Sequence, residues 1–255
     1  MSWWQSDKHI QQIVDWAYEM QDRFPDEHLV SIGQSPAWIL RTVSMIRKMR
    51  GEKVNLTYVP FTGGFVTRDK SEDACLKDEM IFGPKAEWER NQSELPYYYD
   101  FLKNLNMHPD QLMARMASGE KLVFAEMIIG ANGLASFLNI ILNQQSSEFK
   151  TLFSSHAKVF VYDTAPKGNK DFVRLMDGDL VELEREAMNQ EEADMIKNIA
   201  PMNVVETSST RLVPTYRLAF YGREAPGFRL IPNRYMRKII EEKLHDVVQY
   251  REHHL

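Results

Sequence analysis

Between Lys121 and Leu142 the chain reads KLVFAEMIIGANGLASFLNIIL. Leu122 to Ala125 is an unbroken apolar run of the kind that fills a strand buried on both faces. Gly130-Ala131-Asn132-Gly133 is a short turn, with residues that tolerate left-handed backbone angles. Leu134 to Leu142 is apolar again, now with the length and spacing of a helix. Strand, turn and helix in that order commit the chain to a parallel sheet, because the helix carries it back to start a neighbouring strand. Glu126 interrupts the apolar run just before the turn. An unpaired buried carboxylate is costly, so its position asks for a reason. Backbone N–H groups at the start of the helix, with the positive end of its dipole, make a seat for the phosphate of a sugar. Glu126 is then placed to take ribose hydroxyls, directly or through a magnesium ion. The competing reading is a salt-bridged structural glutamate beside a tight turn.

A second unit of the same kind lies earlier. His28 to Ile32 is a short apolar strand, Gly33-Gln34-Ser35-Pro36 a turn, and Ala37 to Met49 a helix closed by Gly51. Val54 to Val59 and Lys158 to Tyr162 supply further strands, the latter ending at Asp163. Residues 5–23 and Tyr235 to Tyr250 show helical spacing of apolar residues. Residues 171–199 are acidic and read as helical, and 203–222 read as strands. Residues 61–120 carry many charges, Tyr97 to Tyr99, and helical patterns near 86–104 and 109–118. A structureless connection of that length is improbable, so they are expected to form an inserted helical hood. The predicted fold is one α/β domain over 1–255: a doubly wound, mostly parallel sheet with the hood and a C-terminal strand and helix extension. Such sheets bind ligands beyond the carboxyl ends of their strands.

Composition narrows the function classes. Net charge is -5 and the sequence pI about 5.8, against the basic surplus of a dedicated nucleic-acid binder. Cys75 is the single cysteine, so an intramolecular disulfide scaffold is excluded. The seven histidines show no metal-ligand spacing on a shared element, and no metal-ligating set is expected. No apolar run reaches the length of a membrane span, and the first residues have no signal-peptide pattern, so a cytoplasmic location is expected.

The Lys121 to Leu142 stretch resembles the signature of the phosphoribosyltransferase family (type I fold): four apolar residues, two acids, a small turn, then a hydroxyl residue opening a helix. Leu122 to Ala125 match the apolar part, Glu126 one acid, Gly130 to Gly133 the turn, and Ser136 the hydroxyl residue. Met127 stands where the second acid is usual. The resemblance implies a phosphorylated ribose or nucleotide as ligand, with its phosphate at Gly130, Ala131, Asn132, Gly133, Leu134 and Ser136. It implies Glu126 as the catalytic or ribose-binding acid, and magnesium as cofactor. It also implies a diphosphate loop at Gly33, Gln34 and Ser35. The missing acid weighs against ordinary diphosphoribosyl transfer, since a ribosyl cation and a metal would both lack a carboxylate. A non-catalytic binding protein on the same fold, taking a ligand in the pocket or a protein partner through the hood, is the alternative.

Gly33-Gln34-Ser35-Pro36-Ala37 also resembles a nucleophile elbow, which would make Ser35 a serine-hydrolase nucleophile with Asp163 and His245 as partners. Pro36 counts against this, since it lacks the N–H that would act as oxyanion donor. Most of Arg41, Arg47, Lys48 and Arg50 are expected on the solvated face of their helix, whereas Arg68, Lys70, Arg211, Arg217 and Arg223 are candidates to reach a phosphate or close the site.

Overall fold

The computed structural model describes residues 7–33, 36–59, 79–80, 95–128, 132–143, 145–163, 172–189, 191–192, 195 and 234–254. Gln34, Ser35, Gly130, Ala131, Cys75, Arg68, Lys70, Arg211, Arg217, Arg223 and the strands expected in 203–222 lie outside the described residues, as do 61–78 and 81–94 of the expected hood.

In chain order the elements are α1 (Asp7–Arg23), β1 (His28–Ile32), α2 (Ala37–Met49), β2 (Leu56–Val59), β3 (Glu79–Met80), α3 (Leu95–Asn104) and α4 (Pro109–Ala117). Then come β4 (Leu122–Ile128), α5 (Asn132–Leu142), α6 (Ser147–His156), β5 (Ala157–Asp163), β6 (Phe172–Arg174), β7 (Leu180–Glu182), β8 (Glu184–Ala187) and α7 (Arg234–His254). Five strands form one sheet in the order β2-β1-β4-β5-β8, and every pairing in it is parallel. The protein therefore has the expected α/β character, with a parallel sheet at its centre.

Alternate residues of the central strands enter two separate cores. Val30, Ile32, Phe124, Val159 and Val161 pack with residues of α3, α4, α5 and α6. Leu29, Val123, Ala125, Phe160 and Tyr162 pack with residues of α1, α2 and α7. This double burial is why β4 and β5 read as nearly continuous apolar runs. Helix α5 is buried along most of its length, with Leu134, Phe137, Leu138, Ile140 and Ile141 all inaccessible, as its all-round apolar sequence requires. Tyr98 is fully buried in the same core, and the Tyr99 hydroxyl donates to the Ile140 carbonyl at 2.8 Å, so both are packing residues.

Caps follow local chemistry. Gly51, at φ 71, follows α2, where its N–H bonds to the Lys48 carbonyl and that of Glu52 to the Arg47 carbonyl; this is the Schellman pattern that favours glycine. His108 and Gln111 form a capping box at the start of α4, with Pro109 in the first turn.

Two expectations are corrected. Within 171–199, Phe172–Arg174, Leu180–Glu182 and Glu184–Ala187 are strands, not helix, while the described residues 191, 192 and 195 are helical. The Asp177-Gly178 turn, with Gly178 at φ 95, reverses the chain so that β6 and β7 pair antiparallel. The acidic residues fall at alternate positions along β8, where Glu184 meets Arg23 and Lys158 and Glu186 meets Arg23. Arg47 is not on a solvated face either; it is 1% exposed. Its guanidinium donates to Gln21 Oε1 (2.7 Å), the Phe24 carbonyl (2.7 Å) and the Glu27 carbonyl (3.1 Å). It thereby fixes the link from α1 to β1 against α2. Charge-assisted bonds to otherwise orphaned carbonyls are the strong kind, so Arg47→Met is expected to destabilise the fold by about 3 kcal/mol, against about 0.5 or less for the exposed Lys48→Met, measured by urea denaturation of both variants.

Candidate functional site

The sheet's connections diverge between β1 and β4. Strand β1 continues to β2 on one side through α2, and β4 continues to β5 on the other through α5 and α6. Helices α2 and α5 lie on opposite faces, so the connections part at the carboxyl ends of these two adjacent strands, the place where open parallel sheets bind ligands. Strands β1 and β4, which precede the turns singled out in the sequence, end side by side here. The register sets Ser31 opposite Ala125, which puts Ile32 level with Glu126.

Glu126 lies in the carboxyl half of β4 and, by alternation with Phe124, on the face covered by α5. Part of the residue is still exposed, but its Oε2 is enclosed and has no hydrogen-bond partner among the described residues. Burial pushes the carboxyl from its ordinary value of 4.5 up to about 8. At neutral pH it holds its proton and acts as a hydrogen-bond donor as well as an acceptor. The structural alternative, a salt-bridged glutamate, finds no cationic partner among the described residues. Met127 points the other way and packs with the core of α1, α2 and α7, so the position of the missing acid lies on the opposite face from Glu126.

Helix α5 begins at Asn132, so the N–H groups of its first residues have no acceptor within the helix. Leu134 and Ser136 are both fully buried. Ser136 is the fifth helical residue, beyond the first turn, whereas Leu134 lies in the first turn with its side chain in the core, so any contact of Leu134 with a ligand is through its backbone. At the other turn, Gly33 has φ 72 and its N–H donates to the Val59 carbonyl at 2.9 Å. The Ser31 hydroxyl donates back to the Gly33 carbonyl at 3.3 Å.

The hydrolase partners do not come together. Asp163 is paired with Arg185 on the α5 face, whereas His245 is exposed on α7, which packs on the other face. Sequence reasoning missed Arg185 at the rim. It carries no motif, and only strand register brings it there.

Other polar atoms at this end of the sheet are also unsatisfied. Trp38 Nε1 and Arg41 Nε, both early in α2, and Arg185 Nε are enclosed without partners among the described residues. Arg41 lies over the Trp38 and Tyr58 rings and pairs with Glu241 at 2.9 Å. A cavity of about 690 Å³ lies elsewhere, between α6 and the β6–β7 hairpin. Its Thr151, Ser154 and Ser155 hydroxyls donate to carbonyls of their own helix, and Lys150 pairs with Asp177 and Asp179. Size alone does not make a site; the unsatisfied groups are at the rim.

No protein-family model matches the chain, and neither a curated protein nor a solved structure matches it.

The raised ionisation of Glu126 has a thermodynamic signature. Its folded value lies above its unfolded one, so its contribution to stability is full below about pH 4.5 and declines as pH rises toward about 8. Replacing the carboxyl by an apolar side chain removes that decline. Glu126→Leu is expected to gain about 2–4 kcal/mol relative to the parent between pH 5 and pH 8.5, the partial exposure of the residue keeping the gain below the full shift. Urea denaturation of both proteins at the two pH values measures it.

Proposed function

We propose that this chain binds a phosphorylated ribose or nucleotide at the carboxyl rim of its sheet, as a phosphoribosyltransferase-like protein on a doubly wound fold. The observation that carries this reading is the enclosed Oε2 of Glu126, without a partner among the described residues, near the adjacent carboxyl ends of β1 and β4. A buried polar atom without a partner is destabilising, and a ligand hydroxyl there would satisfy it. In this reading the phosphate rests on backbone N–H groups of residues 130–134 at the start of α5. Glu126 holds the ribose hydroxyls, and residues 33–35 hold a diphosphate or its remnant.

Binding is favoured over transfer. A protonated Glu126 offers no negative charge to a developing ribosyl cation. On the same face of the rim, the Asp163 carboxylate is engaged by Arg185. That donor set does not suit a magnesium ion, which prefers ionised carboxylates. The hood remains a candidate surface for a protein partner. No helix among the described residues is long and apolar enough to cross a membrane.

Isothermal titration at pH 7 with ribose 5-phosphate, phosphoribosyl diphosphate and nucleoside monophosphates tests the proposal. At least one is expected to bind, and Glu126→Ala to weaken it by about tenfold or more, the scale of one lost buried hydrogen bond. Absence of binding by all of them would remove the reading. Diphosphate release with an added base would convert the binder into an enzyme.

A further inference from the structure

The register of the sheet sets a second polar group on the face that carries Glu126. Glu126 pairs with Val161, and Val161 pairs with Arg185, so the three form one row across β4, β5 and β8. Partners in a parallel ladder point to the same face. Val161 belongs to the core beneath α5, and Glu126 and Arg185 therefore flank it there, two strand spacings or about 10 Å apart across the sheet. Asp163 comes one position nearer the rim on the same face and is 9% exposed. It accepts a hydrogen bond from Arg185 Nη2, and the two side chains are 10% and 15% exposed. Arg185 Nε is enclosed and has no partner among the described residues. The guanidinium is thus anchored through one nitrogen while another, also withdrawn from water, is unused.

We infer that Arg185, positioned by Asp163, is a binding residue of this rim and takes an anionic oxygen of the ligand's phosphate; the inference rests on the reading of the rim given above. The turn from Gly130 to Leu134 has no charged side chain, so a phosphate held there by backbone N–H groups alone would lack a counter-charge. A guanidinium provides one with the geometry suited to phosphate oxygens. Asp163 fixes the plane of the guanidinium, and a ligand oxygen completes the donor that the fold leaves open. Arg185 therefore governs selection for the phosphate, and Glu126 governs contact with the sugar.

Titration of the full chain with ribose 5-phosphate and with unphosphorylated ribose separates these roles. Arg185→Met is expected to weaken ribose 5-phosphate by about tenfold or more while leaving ribose unchanged, so that the preference for the phosphorylated sugar collapses. Arg185→Lys keeps the charge without the fork and should recover part of that preference. Asp163→Asn should lose less than Arg185→Met, with the loss again confined to the phosphorylated ligand. Should Arg185→Met fail to fold, Arg185→Lys and Asp163→Asn carry the same comparison. Unchanged discrimination in the Arg185 variants, with Glu126→Ala still weakening ribose 5-phosphate, would overturn the role of Arg185 and leave the rim reading standing. Failure of the parent chain to bind ribose 5-phosphate would overturn both.

Discussion

Burial of the sheet on both faces is the constraint from which the rest of the structure follows. Strands β1, β4 and β5 send alternate side chains into two separate cores, so nearly every position along them must be apolar. A polar group in such a strand has no solvated face to occupy. It is either matched inside the protein or left for something else to match. Arg47 shows the first outcome on the neighbouring helix: all three of its donor groups that enter the fold reach acceptors. Glu126 shows the second, in β4 itself.

The same constraint explains why unsatisfied atoms gather at one end. Toward the amino edge the polar groups are paired: His28 Nδ1 lies 3.1 Å from Glu120, its Nε2 2.8 Å from the Thr57 hydroxyl, and Arg115 clasps Glu120 through two nitrogens. Desolvation, with Arg115 nearby, lowers the His28 imidazole to about 4, so this cluster stays neutral at the histidine and serves as a fixed structural clasp. At the carboxyl end Glu126 and Arg185 each keep an enclosed atom without a partner among the described residues. Stability given up at such positions is a common mark of a site shaped for a ligand.

Much of this was legible in the sequence wherever side-chain period and turn chemistry agreed. The apolar run of β4, the turn after it and the uniformly apolar α5 could hardly be read otherwise. The β1–α2 unit and its closing Gly51 were equally plain. Strands β6, β7 and β8, of three or four residues each, are too short to show a period, and their charges resemble a solvated helix. Arg47 followed the rule that arginines on an amphipathic helix face water, and tertiary packing overrode it. Arg185 was out of reach of sequence for a different reason. Its place beside Val161, and so in the row of Glu126, is a property of register between strands far apart in the chain.

The central claim is that Glu126 is an enclosed, protonated carboxyl that a ligand completes. A ¹³C NMR titration of the Glu126 side-chain carboxyl, assigned by loss of its signal in Glu126→Gln, addresses it directly. Without ligand the carboxyl should titrate near 8 rather than near 4.5, and its resonance should shift saturably as ribose 5-phosphate is added at pH 7. A carboxyl that titrates near 4.5 and is indifferent to the sugar phosphate would contradict the account.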